Sequence, residues 1–181
     1  DDYLPGKALN EGIRLAAGDL VVFLSAHCVP FDKSWLSELI RPVEQNLGVA
    51  SYGRQIPTPA SNPDNVRDLL MVFGSESVIQ EHSYRFHNAN SCVVREYLVC
   101  HPFDERISNV EDWFWAKECI ERGDKIAYQA RAVVYHHHGL NQHGINGSFR
   151  AAPVSELLHS LHLPEVSKPT FMWDLFFRAL L

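Results

Sequence analysis

Three places in the chain set side chains capable of chemistry beside one another. Ser25-Ala26-His27-Cys28 directly follows an unbroken apolar run, Leu20 to Leu24. If that run is a strand of an open α/β sheet, the four residues lie beyond its carboxyl end, where such sheets bind ligands. A histidine there can ligate a divalent metal, hold a proton near neutral pH, or hydrogen-bond within a loop. Glu111-Asp112 open an amphipathic segment and are followed at once by Trp113, Phe114 and Trp115. Carboxylates at a helix N-terminus stay ionised and can receive a proton. His136-His137-His138 close a third segment, with His143 beyond it. In a strand, His136 and His138 share one face and can jointly face a metal.

Each group also has a plainer reading. Taken alone, His27 is better read as packing in a loop. Ser108 and Glu111 have capping-box spacing, so that Glu111 would cap a helix and Asp112 would only favour its dipole. Histidines alternating along a strand more often mark a solvated edge.

The elements that must position these groups alternate between strand and helix, as in an α/β sheet. Pro5-Gly6 open a helix with Leu9, Ile13 and Ala16 on one face, ended by Gly18. Leu20 to Leu24, apolar at every position, predicts a strand covered on both faces and central in the sheet. A helix follows Asp32 as N-cap, with Trp35, Leu36, Leu39, Ile40 and Val43 inward and Pro42 marking a kink or an early stop. Strands are expected over 49–56, 91–95 and 125–136, a loop over 57–64, and helices over 66–73 and 110–122, the last closed by Gly123.

The bounds on function come from composition. With 181 residues and 46% hydrophobic content the chain makes one ordinary domain core. A net charge of −6 with no basic stripe argues against a nucleic-acid partner. Cys28, Cys92, Cys100 and Cys119 are widely spaced and read as free thiols of a reducing compartment. With no apolar run long enough to span a membrane and no signal peptide at Asp1-Asp2-Tyr3, the chain reads as cytoplasmic.

The order of the motifs carries a resemblance. Gly6-Lys7-Ala8-Leu9-Asn10-Glu11-Gly12, then Ala16-Ala17-Gly18-Asp19 and Val21-Val22-Phe23-Leu24, resemble the family 2 glycosyltransferase pattern of a helix leading through an Ala-x-Gly turn into the strand that carries a DxD metal motif. Gly53-Arg54-Gln55, Asn88-Ala89-Asn90-Ser91, Pro102-Phe103-Asp104-Glu105, Glu111-Asp112-Trp113 and Val134-Tyr135-His136 follow in the family's order. The resemblance spans Gly6 to His138. It implies a GT-A-like domain over 1–138, with a mixed, mainly parallel sheet flanked by helices; the helical C-terminal extension over 139–181 is read from its own sequence pattern and gains nothing from the resemblance. It further implies that the family's first nucleotide-binding strand and helix, which should precede Gly6, are lacking.

What the resemblance implies about chemistry is an inverting transfer of a sugar from a nucleotide-sugar donor to the hydroxyl of a glycan or lipid-linked acceptor, in bacterial polysaccharide or glycan biosynthesis. Asp112 would be the general base, with Glu111 orienting sugar hydroxyls. Ser25, His27, Arg54, Gln55, Asn88, Asn90 and Ser91 would line the donor sugar and diphosphate. A divalent cation, Mn²⁺ or Mg²⁺, belongs to the family's site, yet Ser25-Ala26-His27 stands where the two carboxylates of DxD should be. His27 would then serve as a replacement ligand, assisted by His136 or His138. Two rival readings follow: a catalytically silent GT-A domain that binds sugars or holds an assembly, and a zinc hydrolase built on His27, His136 and His138. The sequence expectation for the C-terminus is two helices, over 155–163 and 170–181. The second is apolar around most of its circumference and is expected to pack on its own domain, on a twin subunit, or on the inner face of a membrane.

Overall fold

The structure is a computed structural model that describes residues 4–59, 61, 63–107 and 110–136. The expected C-terminal helices, the Ser108 cap, His137, His138 and His143 lie outside the described residues.

Helix α1, Pro5–Leu15, starts on a proline whose missing N–H is no loss in the first turn, and buries Gly6, Asn10 and Ile13. Strand β1, Leu20–Leu24, leads through a tight turn into the short strand β2, Cys28–Pro30. Helix α2, Trp35–Glu44, follows; Asp32 Oδ1 accepts from the Ser34 N–H at 2.8 Å and from its hydroxyl at 2.6 Å, which shapes the entry to the helix. Pro42 does not stop α2, which runs two residues past it. Strand β3, Ala50–Pro57, helix α3, Pro63–Val72, and strand β4, Val78–Gln80, come next. Strand β5, Asn90–Val94, passes straight into helix α4, Arg95–Cys100. Helix α5, Glu111–Glu121, and the long strand β6, Ile126–His136, complete the described chain. β2, β4 and α4 are too short for periodicity to betray.

The strands form one sheet in the order β1-β5-β3-β6-β2, with β4 pairing beside β2 along the same edge of β6. A mixed sheet flanked by helices was expected and is found, but two details differ. Adjacent strands are mostly antiparallel: only β3 and β6 pair parallel, while β1–β5, β3–β5, β2–β6 and β4–β6 are antiparallel. And β1 ends the order among the described strands instead of lying centrally. Its wholly apolar sequence has another cause. Val21 and Phe23 join one cluster with Ile13, Phe73, Phe86, Phe103 and Trp115, while Leu20 and Val22 join a second with Leu39, Val43 and Cys92 of the opposite face. An unbroken apolar run reports two covered faces, and helices cover both sides here.

The antiparallel pairings still leave β1, β3 and β6 pointing the same way, because β5 separates β1 from β3 by two reversals. Ser25, Pro57 and His136 therefore share the carboxyl edge of the sheet, and Asn90 and Cys28, which open the reversed strands, begin there as well. The turn after β1 closes with the Cys28 N–H donating to the Ser25 carbonyl at 2.9 Å. Only three residues thus join strands at opposite ends of the order. In a flat sheet those strands would lie about 19 Å apart, beyond the roughly 14 Å that four residue steps can reach. The sheet must curl, and the curl brings both of its ends to the Ser25 turn.

Candidate functional site

The first half of the site is a cavity of about 390 Å³ at this edge, lined by Pro5, Leu9, Val22, Phe23, Leu24, Ser25, Asn88 and Glu111. Four separate segments meet there. The Ser25 N–H donates to the Ala89 carbonyl at 3.1 Å, locking the turn after β1 to the loop before β5. The Asn88 N–H donates to Asp112 Oδ2 at 3.2 Å, and the Asn88 side-chain amide faces Glu111 Oε1 at 3.5 Å. Asn88 Oδ1 is itself buried and has no hydrogen-bond partner among the described residues.

Glu111 and Asp112 hold the first turn of α5. Val110 precedes them in the left-handed region, φ 59°, where a β-branched residue is strained. Asp112 Oδ1 accepts from the Trp113 N–H at 2.9 Å. The backbone donors of Asn88, Trp113 and Asp112 itself would hold a carboxylate low, but burial outweighs them and pushes Asp112 up to about 6. The residue as a whole keeps some exposed surface, so the shift reflects dense protein around the carboxylate and not a sealed cavity. Glu111 is also raised, first by burial and then by the negative charge of Asp112. Glu111 lies on the cavity wall, while Asp112 sits directly behind Asn88. A carboxylate that titrates near neutrality beside a cleft is suited to proton transfer.

The second half of the site lies where β2 meets the end of β6. Cys28 and His136 are directly opposed across the antiparallel pair, both buried. The exposed His27 stacks on His136, with ring centroids 4.6 Å apart and planes 17° from parallel. The nitrogen and sulfur atoms of His27, Cys28 and His136 all lie within 4.8 Å of one another, and no carboxylate belongs to this group. Burial pushes the Cys28 thiol up to about 11.

The other residues expected to line a donor site stand behind these two halves. Asn90 is wholly buried, and its amide bridges strands: Oδ1 accepts from Trp35 Nε1 at 2.8 Å and Nδ2 donates to the Ala132 carbonyl at 2.9 Å. It supports the wall instead of facing the cavity. Ser91 and Gln55 are also buried, and neither Ser91 Oγ nor the Gln55 amide finds a partner among the described residues. Arg54 lies at the β3 irregularity near Tyr128, where its charge partly offsets the rise that burial imposes on the phenol, and is not on the cavity wall.

Two residues quoted in the first motif have a positioning role that the sequence did not reveal. Asn10 Nδ2 donates to the Phe103 carbonyl at 2.8 Å and Asn10 Oδ1 accepts from the Phe103 N–H at 3.0 Å. One turn earlier, a Cβ on Gly6 would come within 2.6 Å of the Asp104 carbonyl oxygen. Gly6 and Asn10, at i and i+4 on one face, thus clamp α1 to the segment that leads into α5. An asparagine beside Leu9 and Ile13 on a buried helix face was the available signal.

A family model described as glycosyl transferase family 2 matches residues 3–101. Among curated proteins, the O-antigen chain rhamnosyltransferase RfbN of Salmonella typhimurium is 28% identical over 148 residues, covering 76% of this chain and 47% of that protein. The O-antigen chain rhamnosyltransferase WbaN of Salmonella anatum is 29% identical over the same shares. The chain spans about half the length of these relatives. Among solved structures, glucosyl-3-phosphoglycerate synthase of Mycobacterium tuberculosis shares the fold with TM-score 0.60 at 17% identity, covering 92% of this chain and 58% of that one. The mannosyltransferase PcManGT of Pyrobaculum calidifontis, solved with GDP-Man and Mn²⁺, aligns with TM-score 0.59 at 16% identity over 96% and 49%. GalNAc-T7, solved with UDP, GalNAc and Mn²⁺, aligns with TM-score 0.58 at 15% identity over 76% and 31%. The fold is GT-A.

Proposed function

Because the chain belongs to glycosyl transferase family 2, we propose that the whole protein moves a sugar from a nucleotide-sugar donor to an acceptor hydroxyl with inversion at the anomeric carbon. The observation that carries this reading is the meeting of Ser25, Asn88 and Glu111 on one cavity, with Asp112 held up to about 6 immediately behind it. Asp112 takes the acceptor proton as the hydroxyl oxygen bonds to the anomeric carbon. The bond from that carbon to the diphosphate breaks on the opposite face, and the nucleoside diphosphate leaves with the electron pair. A base of this strength works without a strong driving force, because the hydroxyl grows acidic only as its new bond forms. Glu111 and Asn88 orient sugar hydroxyls, and Ser25 lines the donor. Asn90, Ser91 and Gln55 set the wall from behind, and Arg54, off the cavity wall, is given no contact with the donor. The names of the relatives support rhamnosyl transfer onto a growing polysaccharide, with a glycan or lipid-linked acceptor at the cytoplasmic face of a membrane. No helix among the described residues is long and apolar enough to cross that membrane.

The Mn²⁺ seen in PcManGT and GalNAc-T7 does not fit the residues present here. Hard cations take oxygen ligands, carboxylates above all, and the side chains at the DxD position and in the cluster with it are a hydroxyl, two imidazoles and a thiol, with Glu111 the one carboxylate on the wall of the Ser25 cavity. The same missing carboxylates favour the second reading, a GT-A domain that binds donor and does not turn it over.

Incubating the whole protein with a panel of nucleoside-diphosphate hexoses and deoxyhexoses plus acceptor glycan separates the readings. Transfer with an inverted anomeric centre, read by NMR of the product, is the expected result. Retention of configuration overturns the mechanism, and donor binding without transfer establishes the silent domain.

A further inference from the structure

We propose that His27, Cys28 and His136 form a binding site for a borderline-soft divalent cation such as Zn²⁺, in place of the hard cation used by structural neighbours. Residues opposed in an antiparallel pair project to the same side with their Cβ atoms about 5 Å apart, so the Cys28–His136 pairing sets a sulfur and an imidazole side by side. Both belong to a rigid, buried part of the sheet, with His136 4% exposed and Cys28 7%. His27 is held over them by the turn that the Cys28 N–H closes onto the Ser25 carbonyl.

Distance and chemistry then select the ion. Zinc bonds of about 2.3 Å to sulfur and about 2.0–2.1 Å to nitrogen, in tetrahedral geometry, require donor atoms roughly 3.3–3.7 Å apart. The three donors already lie within 4.8 Å of one another. The stacked rings are nearly parallel, so their in-plane lone pairs cannot both meet one ion as they stand. His27 is exposed and can turn about its side-chain torsions to close the remaining gap, while Cys28 and His136 stay fixed. Imidazole and thiolate suit zinc and its neighbours in the first transition row, and they suit Mg²⁺ and Mn²⁺ poorly. A bound ion of this kind deprotonates a coordinating thiol, releasing its proton to solvent. Three protein ligands leave a fourth position for water or an anionic oxygen, as in other zinc sites with three protein ligands.

The test reads metal alone on the whole protein, so its outcome is independent of whether sugar transfer occurs. After treatment with chelator, the parent protein should bind one Zn²⁺ per chain in competition with a chromophoric chelator, at least about a hundredfold more tightly than Mn²⁺. Loaded with Co²⁺, it should show a thiolate-to-cobalt charge-transfer band in the near ultraviolet. Cys28→Ser abolishes that band and Cys100→Ser, at an exposed cysteine of α4, keeps it. His27→Ala, at an exposed position that does not threaten folding, should weaken Zn²⁺ binding at least about tenfold. Circular dichroism verifies that each variant is folded. Absence of stoichiometric Zn²⁺, a preference for Mn²⁺, unchanged affinity in His27→Ala, or a band that survives Cys28→Ser would each overturn the proposal.

Discussion

The Glu111–Asp112 pair and the His27–Cys28–His136 cluster border the same edge of the sheet, yet they are assembled in opposite ways. The carboxylates are neighbours in sequence on the first turn of one helix, and the fold adds only desolvation and the contact with Asn88. The nitrogen–sulfur cluster joins residues far apart in sequence, and it exists only because β2 pairs with the last residues of β6. The first region tunes a group whose type already dictates its chemistry. The second creates a chemistry that none of its members has alone. The contrast teaches that strand pairing can gather nitrogen and sulfur donors at a strand end whose own turn carries no carboxylate.

The sharpest test of the contrast is at the carboxylates. Asp112→Asn keeps the shape and removes the proton acceptor, so transfer should fall by about a hundredfold to ten-thousandfold while donor affinity holds. Glu111→Gln should cost only about tenfold. If the ranking of the two variants in kcat is reversed, the base is Glu111, the residue on the cavity wall.

A backbone change should damage both regions at once. A Cβ at Gly53 would collide with the Ala132 carbonyl oxygen and Asn90 Nδ2, at the place where β3 lets β5 and β6 approach. Gly53→Ala should destabilise the domain by about 3 kcal/mol, read as a shift of the urea midpoint. A midpoint unchanged from the parent would show that the two regions do not share this support.

Asn10→Ala separates the regions again, since its clamp on Phe103 serves only the α5 side. Leaving a buried backbone N–H unpaired should cost about 2 kcal/mol. In the same variant, Zn²⁺ affinity should match the parent.

The smallest expected effect is a pH dependence. Asp112 is raised from 3.8 to about 6 in the folded protein, so between those values the folded state binds more protons than the unfolded state. Stability from this group is then fully present below pH 4, is lost as pH rises toward 6, and is level above that. Asp112→Asn removes the loss, so at pH 7.5 the variant should be more stable than the parent by about 1 kcal/mol, after allowance for the residue's exposed surface. At pH 4 the gain should vanish. In the parent, kcat/KM should fall tenfold per pH unit below about 6. A flat profile from pH 5 to 8 would remove Asp112 as the titrating base.

Much of the fold was legible because long periodic segments carry their own signal. The helices of Pro5–Leu15 and Glu111–Glu121 and the strand Ile126–His136 lie within a residue or so of where sequence pattern put them. Three-residue strands such as Val78–Gln80 have no period to read. The position of β1 was misjudged because burial on both faces looks the same in sequence for an edge strand and a central one. In the site, the meeting of Ser25, Asn88 and Glu111 was expected from motif order, and their shared cavity supplies the geometry. Asn90 was assigned to the donor because an asparagine in a motif looks available, whereas its amide is engaged by Trp35 and Ala132.

By itself the sequence determined the alternation of strands and helices, the individual motifs, the helix-borne carboxylate pair and the carboxylate-free Ser25-Ala26-His27 turn. These are properties of residues within a few positions of one another, where local geometry follows from residue type. Tertiary structure alone decided which carboxylate faces the cavity, how far burial raises Asp112, and that Cys28 meets His136. Those depend on the curl of the sheet and the register of strands distant in sequence, and pairing across such distances is set by the packing of the whole core.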